Sequence, residues 1–197
     1  MNIDFKKYGI GMKRDGSVEL SAPNPRWADC FAELAAKLQA ALGDGVTLHH
    51  VGSTSIPNIK AKPIIDILGV AEDIKAFEAK RGALEKLGFH WKGEFGIEGR
   101  AYCVLYADAG HTESLVHFHT FQKGTHKVER HFAFRDYLRA HPDKAKAYED
   151  CKVELGHLHG HNRKDYSAAK EKFIEALMLD ALAWKRNTTP QQPQMKL

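Results

Sequence analysis

The most informative run of the chain is His49-His50-Val51-Gly52-Ser53-Thr54-Ser55-Ile56-Pro57-Asn58-Ile59-Lys60-Ala61-Lys62-Pro63-Ile64-Ile65-Asp66-Ile67. Gly52 lets backbone come close to a ligand, and successive N–H groups with the hydroxyls of Ser53, Thr54 and Ser55 can cradle phosphate oxygens. Lys60 and Lys62 add positive charge to the same cradle. Asp66 is an ionisable group inside an otherwise apolar stretch, where an unpaired charge costs several kcal/mol unless it sits at a strand end or meets a cation. The same residues also fit a plain connection whose Ser and Thr satisfy backbone groups. Two familiar nucleotide sites are excluded: no Gly-Lys-Ser/Thr follows at the spacing of a P-loop, and the three-glycine dinucleotide pattern is absent.

The twelve histidines supply a second set of groups, since imidazoles ligate metals, move protons and bind phosphate near neutral pH. His117 and His119 alternate on an expected strand, so both rings lie on one face. Joined by Asp66, they make one carboxylate and two imidazoles, a donor set that favours Zn²⁺, Mn²⁺ or Fe²⁺ over Mg²⁺. Without a metal the same rings can bind phosphate or act as acid and base. Arg100 and Tyr102 also alternate and can reach a phosphate and a base. Arg130, Arg135 and Arg139 read first as the solvated face of a helix, with Arg135 and Arg139 an i, i+4 pair. The alternation His157-Leu158-His159-Gly160-His161 falls in an interhelical turn and is set aside.

These groups need elements to hold them. After Pro23-Asn24-Pro25, Trp27, Phe31, Leu34, Leu38 and Leu42 recur at three- and four-residue steps, an amphipathic helix with Asn24 as N-cap and Pro25 at N1, stopped by Gly43 and Gly45. Ser17 to Leu20 reads as a short strand, Val46 to Val51 as a strand, and Pro63 to Val70 as one buried on both faces. A helix is expected between Asp73 and Leu87, then strands near Phe89 to Glu94, Arg100 to Tyr106 and Ser114 to Phe121. Thr125 to Ala140, Pro142 to Leu158 and Lys164 to Arg186 are helical patterns with short connections. The expectation is an α/β (α+β) domain over residues 1–186: a mixed sheet with flanking helices over about 17–122, a helical set over about 125–186, and a disordered tail over 187–197.

The run from His50 to Ile67 closely resembles the signature of the GrpB family, which is assigned to the nucleotidyltransferase superfamily. Gly93 to Tyr102, His117-Phe118-His119, Arg130 to Pro142, and Tyr166 with Lys170 fit the same family in order, so the likeness spans Leu20 to Ala181. The resemblance implies a nucleotidyltransferase-like fold with a Gly-Ser turn after one strand and an Asp-x-Asp or Asp-x-Glu pair on the next. It also implies a third carboxylate on a later strand, the acids holding two Mg²⁺ ions that position a nucleoside triphosphate for attack. Gly52-Ser53 matches the turn and Asp66 the first acid, His117 and His119 stand where the third acid would be, and Leu68 replaces the second acid. The likeness also raises Arg130, Arg135, Tyr166 and Lys170 as phosphate-binding or lid groups.

Composition bounds the alternatives. The sequence has 197 residues, 43% hydrophobic and 27% charged, which is ordinary for a compact globular unit. It shows no run of about 18 apolar residues and no secretory leader, so the expected address is the cytoplasm and no membrane partner is expected. Three unclustered cysteines suit reduced, buried thiols. A net charge of +4 favours anionic ligands but falls short of a nucleic-acid footprint: despite Tyr102 and Tyr106 on a strand, there is no basic stripe and no reading motif. The leading expectation is an enzyme that binds a nucleotide or similar phosphorylated small molecule and transfers a nucleotidyl group with a divalent cation (Mg²⁺, Mn²⁺ or Zn²⁺). Its cation would sit on Asp66, His117 and His119, and its ligand on Gly52, Ser53, Thr54, Lys62, Arg100, Tyr102, Arg130, Arg135 and Lys170. The alternative, favoured by Leu68, is a nucleotide-binding protein without transferase chemistry or a single-metal hydrolase.

Overall fold

The structure, a computed structural model, describes residues 2–188. Six strands, β1 (Met12–Lys13), β2 (Val46–Val51), β3 (Ile65–Ala71), β4 (Phe89–Gly93), β5 (Ala101–Tyr106) and β6 (Glu113–Gln122), form one mixed sheet. The order is β2-β3-β6-β5-β4, with β1 joined to the beginning of β6. β3 and β6 run parallel, and every other pairing is antiparallel. β3 thus lies between two neighbours, and its run of apolar residues reflects a strand covered on both faces.

Alternation along the strands sorts the side chains. Ile65 and Ile67 of β3, with Val116 and Phe118 of β6, enter the main core. They meet Trp27, Leu34 and Leu38 of helix α1 (Arg26–Leu42), Phe77 of α2 (Ile74–Glu78) and Leu84 of α3 (Arg81–Lys86). Asp66 and Leu68 point to the opposite face, where Leu68, Val51, Val70 and Phe121 pack under Val128 and Phe132 of α4 (His126–Ala140). Helices α4, α5 (Pro142–His159) and α6 (Arg163–Thr188) share a third cluster that includes Tyr137, Leu138, Tyr148 and Leu177, against Ile56 and Ile59 of the β2–β3 connection.

The expected elements recur with three corrections. The Asn24 side chain accepts from the Arg26 N–H at 3.0 Å, so it does the capping, but the helix begins at Arg26 with Pro25 in the cap position. Ser17 to Leu20 is not a strand. Met12–Lys13 already occupies the sheet position ahead of β3, and Val18 instead donates its N–H to Gly160 O at 2.7 Å, beside the α5–α6 turn. The helix expected between Asp73 and Leu87 is two short helices: Lys80 N–H bonds back three residues to Phe77 O at 2.9 Å, and the Lys80 ammonium is drawn to Leu42 O at the end of α1, a carbonyl that α1 itself leaves unpaired. At the far end α6 continues through Asn187 and Thr188, and the remainder of the expected tail, 189–197, lies outside the described residues. No helix of the described residues is long and apolar enough to cross a membrane.

Candidate metal and phosphate site

The parallel pairing of β3 with β6 sets Asp66 directly beside His117 and Leu68 beside His119, all on the face away from the main core. One ligand atom from each of Asp66, His117 and His119 lies within 4.8 Å of the others, the one such group among the described residues. His117 Nδ1 stands 3.3 Å from Asp66 Oδ1, so the ring donates to the carboxylate from Nδ1, and in its neutral form Nε2 carries the lone pair. A carboxylate holding one nitrogen while the other remains open is how metal-binding imidazoles are commonly oriented. Burial pushes the Asp66 carboxyl up, but the His117 hydrogen bond, the flanking imidazoles and the Lys170 ammonium together hold it below the usual carboxylate range. It is an anion at neutral pH.

His119 is held from a third strand. Arg100, just ahead of β5, donates from Nη1 to His119 Nδ1 at 3.3 Å and from Nε and Nη2 to the carbonyls of Glu94 and Phe95 at 3.1 and 2.8 Å. A guanidinium only donates, so Nδ1 accepts and the His119 ring proton lies on Nε2. Burial drives the ring's pKa down to about 3, which keeps it neutral. The Tyr102 ring lies 4.8 Å from that of His119 and 6.0 Å from that of His117, closing the site on the β5 side.

Gly52 follows Val51, the last residue of β2, which pairs with Asp66. Its φ of 70° and ψ of −174° belong to a region open essentially to glycine. A Cβ there would meet Asp66 Oδ2 and stand 2.8 Å from its Cγ, so only hydrogen fits beside the carboxylate. The next three residues make one turn of 3₁₀ helix, Ser53–Ser55. At three residues per turn their side chains leave in three directions. Ser53 faces a cleft of about 260 Å³ that Lys62, Asp66, His117, Lys152 and Lys170 also line. Thr54 is buried on the other side, accepting from His50 Nε2 at 3.0 Å and donating to Ile64 O at 3.1 Å, and Ser55 folds back onto Gly52 O at 2.7 Å.

The sequence-derived assignments therefore separate. Ser53, Lys62, Asp66, His117 and Lys170 line the cleft, with His119 grouped beside Asp66 and His117 and Gly52 set against the Asp66 carboxylate. Thr54 does not: its hydroxyl is spent inside the fold. Arg100 stands behind His119 with its donors committed, and Tyr102 is a wall. Arg135 is bound to Asp136 and His50 O and stacks on Phe132, and neither it nor Arg130 lines the cleft.

The GrpB protein family matches residues 17–179. This chain belongs to the GrpB family. It is 38% identical over 170 residues to the UPF0157 protein YqkA of Bacillus subtilis, a match that covers 86% of this chain and 48% of that protein, so the chain spans about half of that relative's length. With the UPF0157 protein SCO7215 of Streptomyces coelicolor it shares 32% identity over 177 residues, covering 90% of this chain and 91% of that protein. The crystal structure of the conserved protein GrpB from Enterococcus faecalis superposes with a TM-score of 0.79 at 33% identity, over 85% of this chain and 99% of that one.

Four groups near the site of this GrpB-family chain escape a reading of the sequence. Lys152 of α5 is 2% exposed, donates to Lys60 O and lies 4.6 Å over the Tyr148 ring. Its neighbour Glu149 accepts from Lys60 N–H at 2.6 Å, and Tyr148 Oη stands 3.2 Å from Ser53 Oγ, so α5 grips the loop from both ends. The available signal was that Ala145, Tyr148, Glu149 and Lys152 recur at helical steps, which places two charges on a buried stripe. His131 of α4, within a family-like motif, donates Nδ1–H to Lys127 O at 2.7 Å and sets its ring 6.1 Å from that of His119.

Proposed function

We propose that this protein binds a nucleotide or similarly phosphorylated small molecule together with one divalent cation, and carries out nucleotidyl transfer at the bound phosphate. The observation that carries the reading is the approach of Asp66, His117 and His119 to within 4.8 Å of one another beside a lysine-lined cleft. The donors fit one borderline cation such as Mn²⁺ or Zn²⁺. They do not fit the two-Mg²⁺ arrangement of the superfamily that the sequence resembles, because Leu68, fully buried under α4, occupies the place of the second acid. A cation on the three side chains would draw negative charge from a phosphate oxygen and so ease attack at phosphorus.

The chain's own groups do the rest. The backbone at Gly52 can approach a phosphate as closely as it approaches Asp66, the Ser53 hydroxyl can bond a phosphate oxygen, and Lys62 and Lys170 offset charge that a second cation would otherwise meet. Arg100 fixes the His119 ring and must release Nδ1 if that nitrogen, or a tautomer with Nε2 open, is to bind the cation.

Labelled nucleoside triphosphates incubated with the protein, a hydroxyl acceptor to take the nucleotidyl group and Mn²⁺, Zn²⁺ or Mg²⁺ should release pyrophosphate, and Asp66→Asn should abolish both release and Mn²⁺ binding. Nucleotide affinity with no release under any acceptor or cation would refute transfer and leave the second reading, nucleotide binding or single-metal hydrolysis, which Leu68 favours. Absence of both cation and nucleotide binding would refute both.

A further inference from the structure

Three large apolar side chains stand exposed among the described residues, Phe95, Leu158 and Leu179, and Phe95, at 67%, is the one beside the candidate site. It belongs to the loop between β4 and β5. Among the described residues, three that are not glycine take a positive φ: Asn58, His111 and Phe95, the last at 45°. Asn and His enter that region comparatively easily, whereas a bulky aromatic does so against steric cost. Exposure and backbone strain both work against stability at this position, and neither comes from a loose loop. Glu94 Oε1 accepts from Gly99 N–H at 2.6 Å, Glu94 O accepts from Ile97 N–H at 3.1 Å, and Arg100 donates to the carbonyls of Glu94 and Phe95. Ile97 supplies the apolar anchor of the loop by packing against the cluster around Leu68. The loop is therefore fixed without help from the Phe95 ring.

The ring borders the cation-binding group. Its centroid lies 5.7 Å from that of Tyr102, which lies 4.8 Å from that of His119. Arg100 fixes the Phe95 carbonyl and also donates to His119 Nδ1, so one side chain sets both positions. The lysine-lined cleft meets the same group at Asp66 and His117. Met12, paired with Ser114, places that cleft toward the beginning of β6, whereas the pairing of Ala101 with Thr120 brings the Phe95 loop toward its end. Cleft, cation-binding group and exposed ring thus follow one another along β6. A nucleoside triphosphate has the matching order, with the charged phosphates at one end, the phosphorus nearest the sugar in the middle and a flat aromatic base at the other end.

We infer that Phe95 is the stacking platform for the base of a nucleotide whose phosphates occupy the lysine-lined cleft, so that the site takes nucleotides in preference to phosphorylated ligands without an aromatic ring. This deepens the proposed function and rests on its reading of the cleft as phosphate-binding. Stacking on an aromatic face gives affinity with little choice among bases, because every base presents a π-face. The strain at Phe95 holds a ring in the open where a ligand can cover it, in keeping with the concentration of such outliers at ligand-binding positions.

The test is isothermal titration of the full chain in Mn²⁺ with three probes: the α,β-methylene analogues of ATP and UTP, which cannot release pyrophosphate, and inorganic triphosphate, which has the charge and no ring. The parent should bind both analogues more tightly than inorganic triphosphate. Phe95→Ala should weaken both analogues by about 5- to 150-fold, the scale of one base stacked on an aromatic side chain, and leave inorganic triphosphate and Mn²⁺ at parental affinity. Phe95→Trp should retain nucleotide affinity. Phe95→Gly should weaken the analogues as much as Phe95→Ala while unfolding at or above the parental midpoint, because glycine relieves the positive φ; a ring that served only the fold would give a lower midpoint. Parental affinity for the analogues in Phe95→Ala overturns the platform, as does an equal loss for inorganic triphosphate. A parent that binds inorganic triphosphate as tightly as the analogues overturns it while leaving a phosphorylated ligand in the cleft. A parent that binds none of the three overturns both this inference and the proposed function. Self-association of the parent that Phe95→Ala abolishes, with nucleotide affinity unchanged, assigns the ring to a second copy of the chain and overturns the inference alone.

Discussion

Replacing Gly52 by alanine probes the junction on which the site depends, because it adds one methyl group and touches two effects at once. The first is backbone strain. At φ 70° and ψ −174°, an L-residue sits in a region that costs about 1–3 kcal/mol. The second is crowding: the new Cβ would overlap Asp66 Oδ2 and stand 2.8 Å from its Cβ and Cγ, and overpacking of that kind costs about 1–3 kcal/mol. Together they predict a loss of about 3 kcal/mol or more in urea unfolding at an unchanged m-value.

The crowding term has a second consequence, since the easiest relief is rotation of the Asp66 carboxylate away from His117, now 3.3 Å distant. Mn²⁺ affinity should then fall by about 10- to 100-fold, the scale on which disturbed ligand orientation acts. Gly93→Ala separates the two effects. Gly93 has a φ of 63° but nothing within 4 Å of an added Cβ, so it should lose only about 1 kcal/mol and keep its Mn²⁺ isotherm. A Gly52→Ala protein within about 0.5 kcal/mol of the parent and with parental Mn²⁺ affinity would refute the placement of Gly52 against Asp66.

Gly82→Ala, in α3 with open space around the added methyl and no positive φ, should stabilise by about 0.5–1 kcal/mol in the same assay. Burial holds the His50 ring, stacked at 4.9 Å on Phe31, down to a pKa of about 4. The unfolded chain therefore binds a proton between about pH 6.5 and 4 that the folded protein refuses, and stability should fall by about 3 kcal/mol as pH drops through that window. His50→Gln should remove that part of the slope, and an identical slope would discount His50 as its source. For Lys152, whose pKa falls from 10.5 to about 7, the folded protein has released a proton that the unfolded chain still holds between those values. Stability should rise on going from pH 7 toward 10, and Lys152→Met should show less of that rise in paired denaturation series; equal slopes would refute a buried, titrating Lys152.

The strands and helices were legible because their periods are strong: α1 buries Trp27, Cys30, Leu34, Leu38 and Leu42 at helical steps, and His117 and His119 alternate on β6 as the two-residue period requires. What no local pattern contains is the register of β3 against β6, which alone places Asp66 beside His117, or the strand that carries Arg100 to His119. The hydroxyl run misleads for a local reason, since a 3₁₀ turn sends Ser53, Thr54 and Ser55 in different directions and only Ser53 reaches the cleft. Lys152 is hidden for the opposite reason: a lysine on a helix is ordinarily solvated, and only the packing of α5 on the Lys60 loop buries it.

Leu68 ties these strands of reasoning together. In register with His119 and sharing the face of Asp66, it stands where a second carboxylate would complete a two-cation site, yet it is fully buried against Val51, Val70, Phe121 and Val128. A carboxylate there would be an uncompensated buried charge, so the apolar residue and the seating of α4 on the sheet belong to one solution. Seating α4 in that way also brings His131 to within 6.1 Å of the His119 ring, while α5 and α6 supply lysines to the cleft on the other side of Asp66. Positive charge that a two-acid site would recruit as a second ion is here built into the chain as lysines, where it depends on no bound ion.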